Sequence, residues 1–426
     1  MRNKIAIIKT LTILLMIVLL SGTLSAQYRF PQPDFTEGYT YPQNELQAPE
    51  NPVWDYIDSG LLLIGLIAAV LISYKFRKRR YVVILMLISL IYFGFIRHGC
   101  FCPIGTTQPV MESLFNPKVV IPFAYIIFFA LPLIFALYWG RVFCSGVCPL
   151  GALQDLVSIK SIRLPKAVTS VLEMLPPVFL ILAIISAISA SDYLICRLDP
   201  FVPLFRASFG ASSIIYTLLW LGSSMFIARP YCRFMCPYGF LLKLASLVSK
   251  NKLATSPEAC VSCRLCENSC PVDALNIPEN HPGITQRGKS RLKIKFLIIP
   301  VIIVVAGFWG HYLAPYLSQL HPDVRLSAYF ENPNAENELD REIYLAQENT
   351  LQDLEIKTHK IVENWTFYAT IFGAFLGLML GLHLVMIETG SKTIEYIPSK
   401  GRCVHCLRCI EHCPVEHDHR NTKGLK

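Results

Sequence analysis

Apolar residues gather in seven stretches, near residues 57–76, 81–96, 119–138, 171–190, 212–228, 293–313 and 365–388, with polar residues between them. A helix needs about 20 such residues to cross a bilayer core of ~30 Å, so the pattern predicts seven spans, the second and fifth short. An earlier apolar run precedes them. MRNKIAIIK is basic, LTILLMIVLL apolar and SGTLSA rich in small residues, the pattern of a secretory signal peptide cleavable after Ala26. The alternative is an uncleaved signal anchor, and on either reading residue 27 starts outside.

Counting from there puts KFRKRR (75–80), IKSIRLPK (159–166), SKNK (249–252), RGKSRLKIK (287–295) and SKTIEYIPSKGR (391–402) on one side. The acidic or mixed segments 27–55 and 316–364 fall on the other. Basic loops mark the cytoplasmic side. The expected topology is therefore an outside N-terminus and a cytoplasmic C-terminus in a bacterial inner membrane. Composition agrees: of 426 residues 53% are hydrophobic and 16% charged, and the mean hydropathy is +0.44, which excludes a soluble domain of this size.

Fifteen cysteines change the picture. Eight fall in two runs, CVSCRLCENSCP (Cys260, Cys263, Cys266, Cys270) and CVHCLRCIEHCP (Cys403, Cys406, Cys409, Cys413). This is the C-x2-C-x2-C-x3-C-P spacing of [4Fe–4S] ligands, in which the fourth cysteine serves the neighbouring cluster. Zinc motifs instead pair two cysteines across a long gap, and a reducing cytoplasm disfavours disulfides. One cluster is thus expected on Cys260, Cys263, Cys266 and Cys413, the other on Cys403, Cys406, Cys409 and Cys270. Two spans and about fifty outside residues separate the runs, yet the topology returns both to one side.

Two longer segments repeat. FIRHGCFCPIG, a span and GRVFCSGVCPLG (140–151) are followed by SDYLICRLDPF, a span and ARPYCRFMCPYG (228–239). Each holds an upstream cysteine, an Arg and C-x3-C-P-x-G, an internal duplication. The topology puts Cys144, Cys148, Cys232 and Cys236 inside and Cys100, Cys102 and Cys196 outside. Sulfurs at i and i+4 share one helix face, and Pro fits a helix start. The four inner thiols are candidates for one site. It could be an iron–sulfur centre, a dithiol couple or a quinone-facing pocket; the plain alternative is four buried small side chains.

These paired C-x3-C-P motifs, the LDPF after Cys196 and the two cluster runs resemble the NosR/NapH-type membrane polyferredoxins, a group that includes the cytochrome oxidase assembly factor CcoG. The likeness covers roughly residues 80 to 275 and the last 30. It implies electron transfer between the quinone pool or cytoplasm and a periplasmic or metal-assembly partner. Three features depart from it: the ferredoxin is split by two spans, Cys100-x-Cys102-Pro is extra, and no large flavin-binding domain precedes the spans.

The expected fold is mainly α, a polytopic helical membrane protein with an internal duplication and a small cytoplasmic α+β two-cluster ferredoxin domain built from two separated halves. The division runs 1–26 signal peptide, 27–55 periplasmic segment, 56–254 duplicated membrane core, 255–292 first ferredoxin half, 293–315 helix, 316–364 periplasmic helical segment, 365–390 helix and 391–426 second half. Electrons are expected to pass between the clusters, the inner thiols and a separate outer station at Cys100, Cys102 and Cys196. Alternatives are a quinol dehydrogenase for a periplasmic reductase and a redox assembly factor for a metalloenzyme. Expected partners are membrane lipid, a periplasmic redox protein and a cytoplasmic donor or quinol, with no nucleic acid.

FGASS (209–213) is faintly similar to covalent-flavin sites but begins with Phe209. His311 and His383 sit at unequal depths, which disfavours haem and favours packing or a proton role. His405 and His412 are expected to tune the clusters by hydrogen bonds. Gly373, Gly377 and Gly381 form a close-contact face against the sixth span. Leu339, Ile343, Ala346, Leu354, Ile361 and Trp365 lie at helical spacing and are expected to run on into the last span, as a docking helix or a lid. Glu173 lies near the inner face, and His417 and His419 form a weak metal signature.

Overall fold

The computed structural model describes residues 52–99, 102–117, 119–159, 161–189, 193–207, 210–251, 253, 260, 263–276, 286–331, 344–345, 350–389 and 397–415. The expected signal peptide, Cys100, Phe209, Leu339, Ile343, Ala346 and the His417–His419 pair lie outside the described residues, as does the side chain of His383.

Among the described residues five helices are long and apolar enough to cross a membrane, Val53–Phe76, Arg79–Ile96, Val168–Ile188, Leu297–Ser318 and Leu351–Leu382. Two shorter apolar helices, Phe123–Trp139 and Ser212–Phe226, match the remaining stretches. The chain is a multi-pass, mainly helical membrane protein. The sequence pattern marks the second stretch as short, yet it reaches Arg79–Ile96 because its last turns continue as a π-helix, Leu90–Ile96. The third shortens instead. Pro122 precedes its first turn, and Gly140, at φ 70°, ends it in a conformation that favours glycine.

The last two long helices, Gln286–Ser318 and Leu351–Thr389, pack closely along their small residues. A Cβ on Gly373 would stand 2.5 Å from the Ala306 carbonyl oxygen, and one on Gly377 2.7 Å from that of Ile302. These glycines make the expected contact with the sixth span. The helix from Leu351 also carries the expected run into the last span, with Leu354 and Trp365 buried. His311 meets Thr370 on this pair, Nδ1 to Oγ1 at 3.4 Å.

The other elements position the candidate site. After Trp139 the chain turns back through two short helices, Val142–Gly146 and Pro149–Val157. The repeat does the same through Pro230–Phe234 and Pro237–Leu247. From the opposite end of the bundle, Thr107–Phe115 and the pair Leu194–Leu198 and Val202–Phe205 also fold inward. The largest buried core joins the two motif segments to Leu194–Leu198 and Val202–Phe205, with Ile104 just before Thr107–Phe115, and it includes Cys144, Cys148 and Cys236.

Candidate functional site

The two cysteine runs lie far apart in sequence but meet in space. Leu275–Asn276, just after the first run, pairs antiparallel with Ile397–Pro398, just before the second. The runs share a backbone shape: Arg264 and Leu407, each the residue after its run's second cysteine, adopt the left-handed conformation at φ 60° and 59°. Non-glycine residues hold that conformation at a cost of about 1–3 kcal/mol, and such strain clusters where surroundings enforce it.

Cys270, Cys403, Cys406 and Cys409 line one small cavity, walled by Leu253, Val272 and Leu407. The fourth cysteine of the first run thus joins the first three of the second. Burial, then the charge of its neighbours, pushes Cys409 well above the usual thiol range, and Cys403 is pushed up to about 12. Cys270 is raised as well, although its sulfur accepts the Ala274 N–H at 3.3 Å. Four mutually repelling thiolates in an apolar cavity need a cationic core between them, and that donor set fits a [4Fe–4S] cluster. Of the other four, Cys260 and Cys263 are exposed, and Cys266 feels the charges of Cys413, Cys260 and Cys263. No three described His, Cys, Asp or Glu side chains form a single-ion metal site.

This unit is bolted to one end of the helix bundle. Lys400 Nζ donates to the Ser249 carbonyl at 2.7 Å, Ser246 Oγ to that of Lys400 at 3.1 Å, and buried Arg141 to that of Gly401 at 3.2 Å. Glu173 bridges Lys243 at 3.0 Å and Arg402 at 3.2 Å, which gives it a docking role. His405 is buried against Gly140, its Nε2 3.3 Å from the Tyr74 hydroxyl. Burial and the Arg141 charge lower its pKa to about 4, so the imidazole is neutral. His412 is exposed and bonds the Arg408 carbonyl at 2.9 Å, on the surface rather than against a cysteine.

The C-x3-C-P-x-G motifs form a second cluster of thiols. Cys148 and Cys236 each cap a short helix that starts at the following proline, and Cys236 Sγ accepts the Gly239 N–H at 3.2 Å. The motif glycine is explained by close approach. A Cβ on Gly151 would lie 2.7 Å from the Cys144 carbonyl oxygen, and one on Gly239 3.2 Å from that of Cys232. Gly151→Ala is therefore expected to destabilise by about 1–3 kcal/mol, more than Gly239→Ala, measured by thermal unfolding of purified protein in detergent.

Each copy leans on the other. Tyr238 of the second motif donates to the Phe129 carbonyl, midway along the first repeat's apolar helix, at 2.7 Å. Gln154, fully buried in the first copy, donates to Cys232 Sγ at 3.2 Å and accepts the Tyr231 N–H at 3.2 Å. Arg229 of the second copy reaches the Cys144 carbonyl at 2.6 Å and grips Asp155 through Nε at 3.0 Å and Nη2 at 2.6 Å. Sequence reading picked out the arginine only as part of the repeat and missed Gln154, which sits unmarked in the helical run ALQDLVS.

The expectation of separate inner and outer stations is overturned by depth. Val147 packs against Gly65 and accepts a hydrogen bond from Ser89, both mid-helix. Gly65 lies eleven residues before the end of its helix at Phe76, and at 1.5 Å per residue that is about 16 Å. The motif loop thus reaches roughly half the ~30 Å of a bilayer core. From the other end, Leu198 and Pro200 accept hydrogen bonds from Tyr216 at 3.1 Å and Thr217 at 2.5 Å. Phe201 then stacks edge-on against Tyr231, centroids 5.4 Å apart. Cys196 Sγ lies 3.6 Å from where a Gly105 Cβ would stand, beside the Cys102 carbonyl, and a Cys102 thiolate would act on both Cys148 and Cys236. Hydropathy sends these loops to opposite faces, but they meet inside.

A 4Fe-4S binding domain model matches twice, over residues 120–166 and 209–255, each copy holding one C-x3-C-P motif, and a second 4Fe-4S binding domain model matches residues 254–276. NirI of Paracoccus denitrificans is 33% identical over 33% of this chain and 22% of its own length. YccM of Escherichia coli, put forward as an electron transport protein, is 27% identical over 33% of this chain and 43% of its own. The regulatory protein NosR of Stutzerimonas stutzeri is 27% identical over 42% and 28%. The chain thus spans less than half the length of each of these three relatives. No solved structure matches it.

Proposed function

We propose, from the premise that this chain belongs with the NosR/NirI-type membrane-associated 4Fe–4S proteins, that it carries electrons between a cytoplasmic donor or the quinone pool and a periplasmic acceptor. The observation that carries this reading is the cavity where Cys270, Cys403, Cys406 and Cys409 converge, set directly on the end of the duplicated core. Cys260, Cys263, Cys266 and Cys413 would hold one [4Fe–4S] cluster, and Cys403, Cys406, Cys409 and Cys270 the other. Bound there, each cluster supplies a one-electron carrier.

The protein's own residues do the rest. Exposed Cys260 and Cys263 give the first set contact with a soluble partner, and Leu253, Val272 and Leu407 keep water from the second. Arg141, Lys400 and the Glu173 bridge fix the distance between that set and the core thiols. Cys144, Cys148, Cys232 and Cys236 continue the line inward, and Cys102 and Cys196 extend it towards the opposite face. Seven spans with the ferredoxin unit, 255–292 joined to 391–426, on the cytoplasmic side complete the reading, supported by the basic loops that counting puts on that side.

Anaerobically purified protein is expected to hold more iron than two [4Fe–4S] clusters need, with the excess lost in Cys144→Ser and in Cys232→Ser. Iron for two clusters only would leave the core thiols a dithiol system and overturn their assignment to a third centre. Failure of the protein's clusters to reoxidise with a periplasmic extract would overturn the transfer role itself.

A further inference from the structure

The two copies of the thiol motif are not chemically equal. Six residues after the second cysteine the first copy has Gln154 and the second has Leu242; the next position has Asp155 in one and Lys243 in the other. Gln154 is fully buried, and both its polar atoms are engaged: across the pseudo-symmetric seam Nε2 donates to Cys232 Sγ at 3.2 Å and Oε1 accepts the Tyr231 N–H at 3.2 Å, and within its own helix Nε2 donates to the Leu150 carbonyl at 3.1 Å. Leu242 is equally buried but has no hydrogen to donate. The charged neighbours differ in the same way. Asp155 turns to Arg229, whose guanidinium lies beside Cys144, whereas Lys243 turns away to Glu173 at the ferredoxin contact.

We propose that Gln154 is a positioning residue that raises the reduction potential of the centre held by Cys144, Cys148, Cys232 and Cys236, by donating its amide hydrogen to the Cys232 sulfur. This rests on the reading that those four thiols hold an iron–sulfur centre. The reason is electrostatic. Reduction adds negative charge to the sulfurs, and a donor aimed at one of them favours the reduced state. Inside an apolar core such a donor is not competed for by water, so its effect is larger than at a surface. The tight grip of Tyr231 N–H on Oε1 fixes which end of the amide faces the sulfur.

The test is a redox titration of purified protein followed by electron paramagnetic resonance, in wild type, Gln154→Leu and Gln154→Met. Leucine is the residue the second copy already tolerates at this position, and methionine keeps an unbranched side chain of similar length while removing the donor. The signal that disappears in Cys232→Ser is expected to titrate lower in both variants. A hydrogen bond to an ionised group predicts a change of about tenfold in the oxidised-to-reduced ratio at fixed ambient potential, or ~59 mV for one electron. The two ferredoxin signals are expected to stay where they are.

An unmoved core signal, or equal shifts in all three signals, would overturn the role of Gln154 and leave the core centre standing. Loss of the core signal in both variants with the ferredoxin signals intact would make Gln154 structural and overturn the proposal as well. Absence of any Cys232-dependent signal in wild type would instead overturn the reading on which it rests.

Discussion

Replacing Cys413 with alanine is expected to remove the cluster of the first cysteine run and spare that of the second. The replaced residue lies in the second run, so a protein with self-contained runs would show the opposite loss. The exchange follows from geometry. Cys270 of the first run lines the cavity with Cys403, Cys406 and Cys409, while the charge of Cys413 is felt by Cys266 of the first run. Cys270→Ala is the mirror experiment and is expected to empty the cavity. Iron analysis with a redox titration of each variant reads the result. The set of Cys270, Cys403, Cys406 and Cys409 is partly buried against the core, whereas Cys260 and Cys263 of the other set are exposed, so Cys270→Ala is also expected to halt electron passage into the core almost completely. Cys413→Ala is expected to cut passage from a soluble donor while an artificial reductant still reaches the buried set. Loss of the second-run cluster in Cys413→Ala would overturn the exchange.

The sequence makes some layers of this molecule plain and hides others, for physical reasons. Hydropathy marks each apolar helix, because a bilayer core demands the same composition along the full length of a span. Cysteine spacing marks the two runs, because a cluster tolerates few arrangements of closely spaced thiolates. The pairing of Leu275–Asn276 with Ile397–Pro398 is too short to leave a signal, yet the shared spacing of the runs already required them to meet.

The inward-turning loops were hidden. Val142–Gly146 and Pro149–Val157 are each shorter than a span and lie next to arginines, so counting assigns them to a surface. What draws them inside is pairwise fit: Gly146 against Ala69, Gly151 against the Cys144 carbonyl, and Arg229 neutralised by Asp155. That fit is legible only as two small residues and a charge pair 74 positions apart. His412 shows the reverse error, since proximity in sequence to cluster cysteines did not put its ring against them.

Arg229→Ala is expected to destabilise the protein by about 3–5 kcal/mol, the range for removing one partner of a buried ion pair. Arg229 is 2% exposed and satisfies both oxygens of Asp155 and the carbonyl of Cys144 at once, so alanine strands a buried carboxylate and a buried carbonyl together. Arg229→Lys keeps the charge but not the two-pronged geometry, and a smaller loss is expected.

The pH dependence separates this account from a simple packing defect. Burial alone would raise the Asp155 carboxyl, but the charge and hydrogen bonds of Arg229 hold it below the usual carboxylate range. In wild type the group therefore contributes stability that is present above its unfolded pKa of about 3.9 and is lost as pH falls through the lower folded value. In Arg229→Ala burial acts with far less opposition and raises the folded pKa above the unfolded one. Its contribution then reverses sign, so the variant gains relative stability as pH falls and Asp155 takes up a proton. Thermal unfolding in detergent between pH 8 and 5 is expected to show the deficit of Arg229→Ala narrowing towards the acid end. A deficit that stays constant across that range would mean that lost packing, rather than the stranded charge, explains the defect.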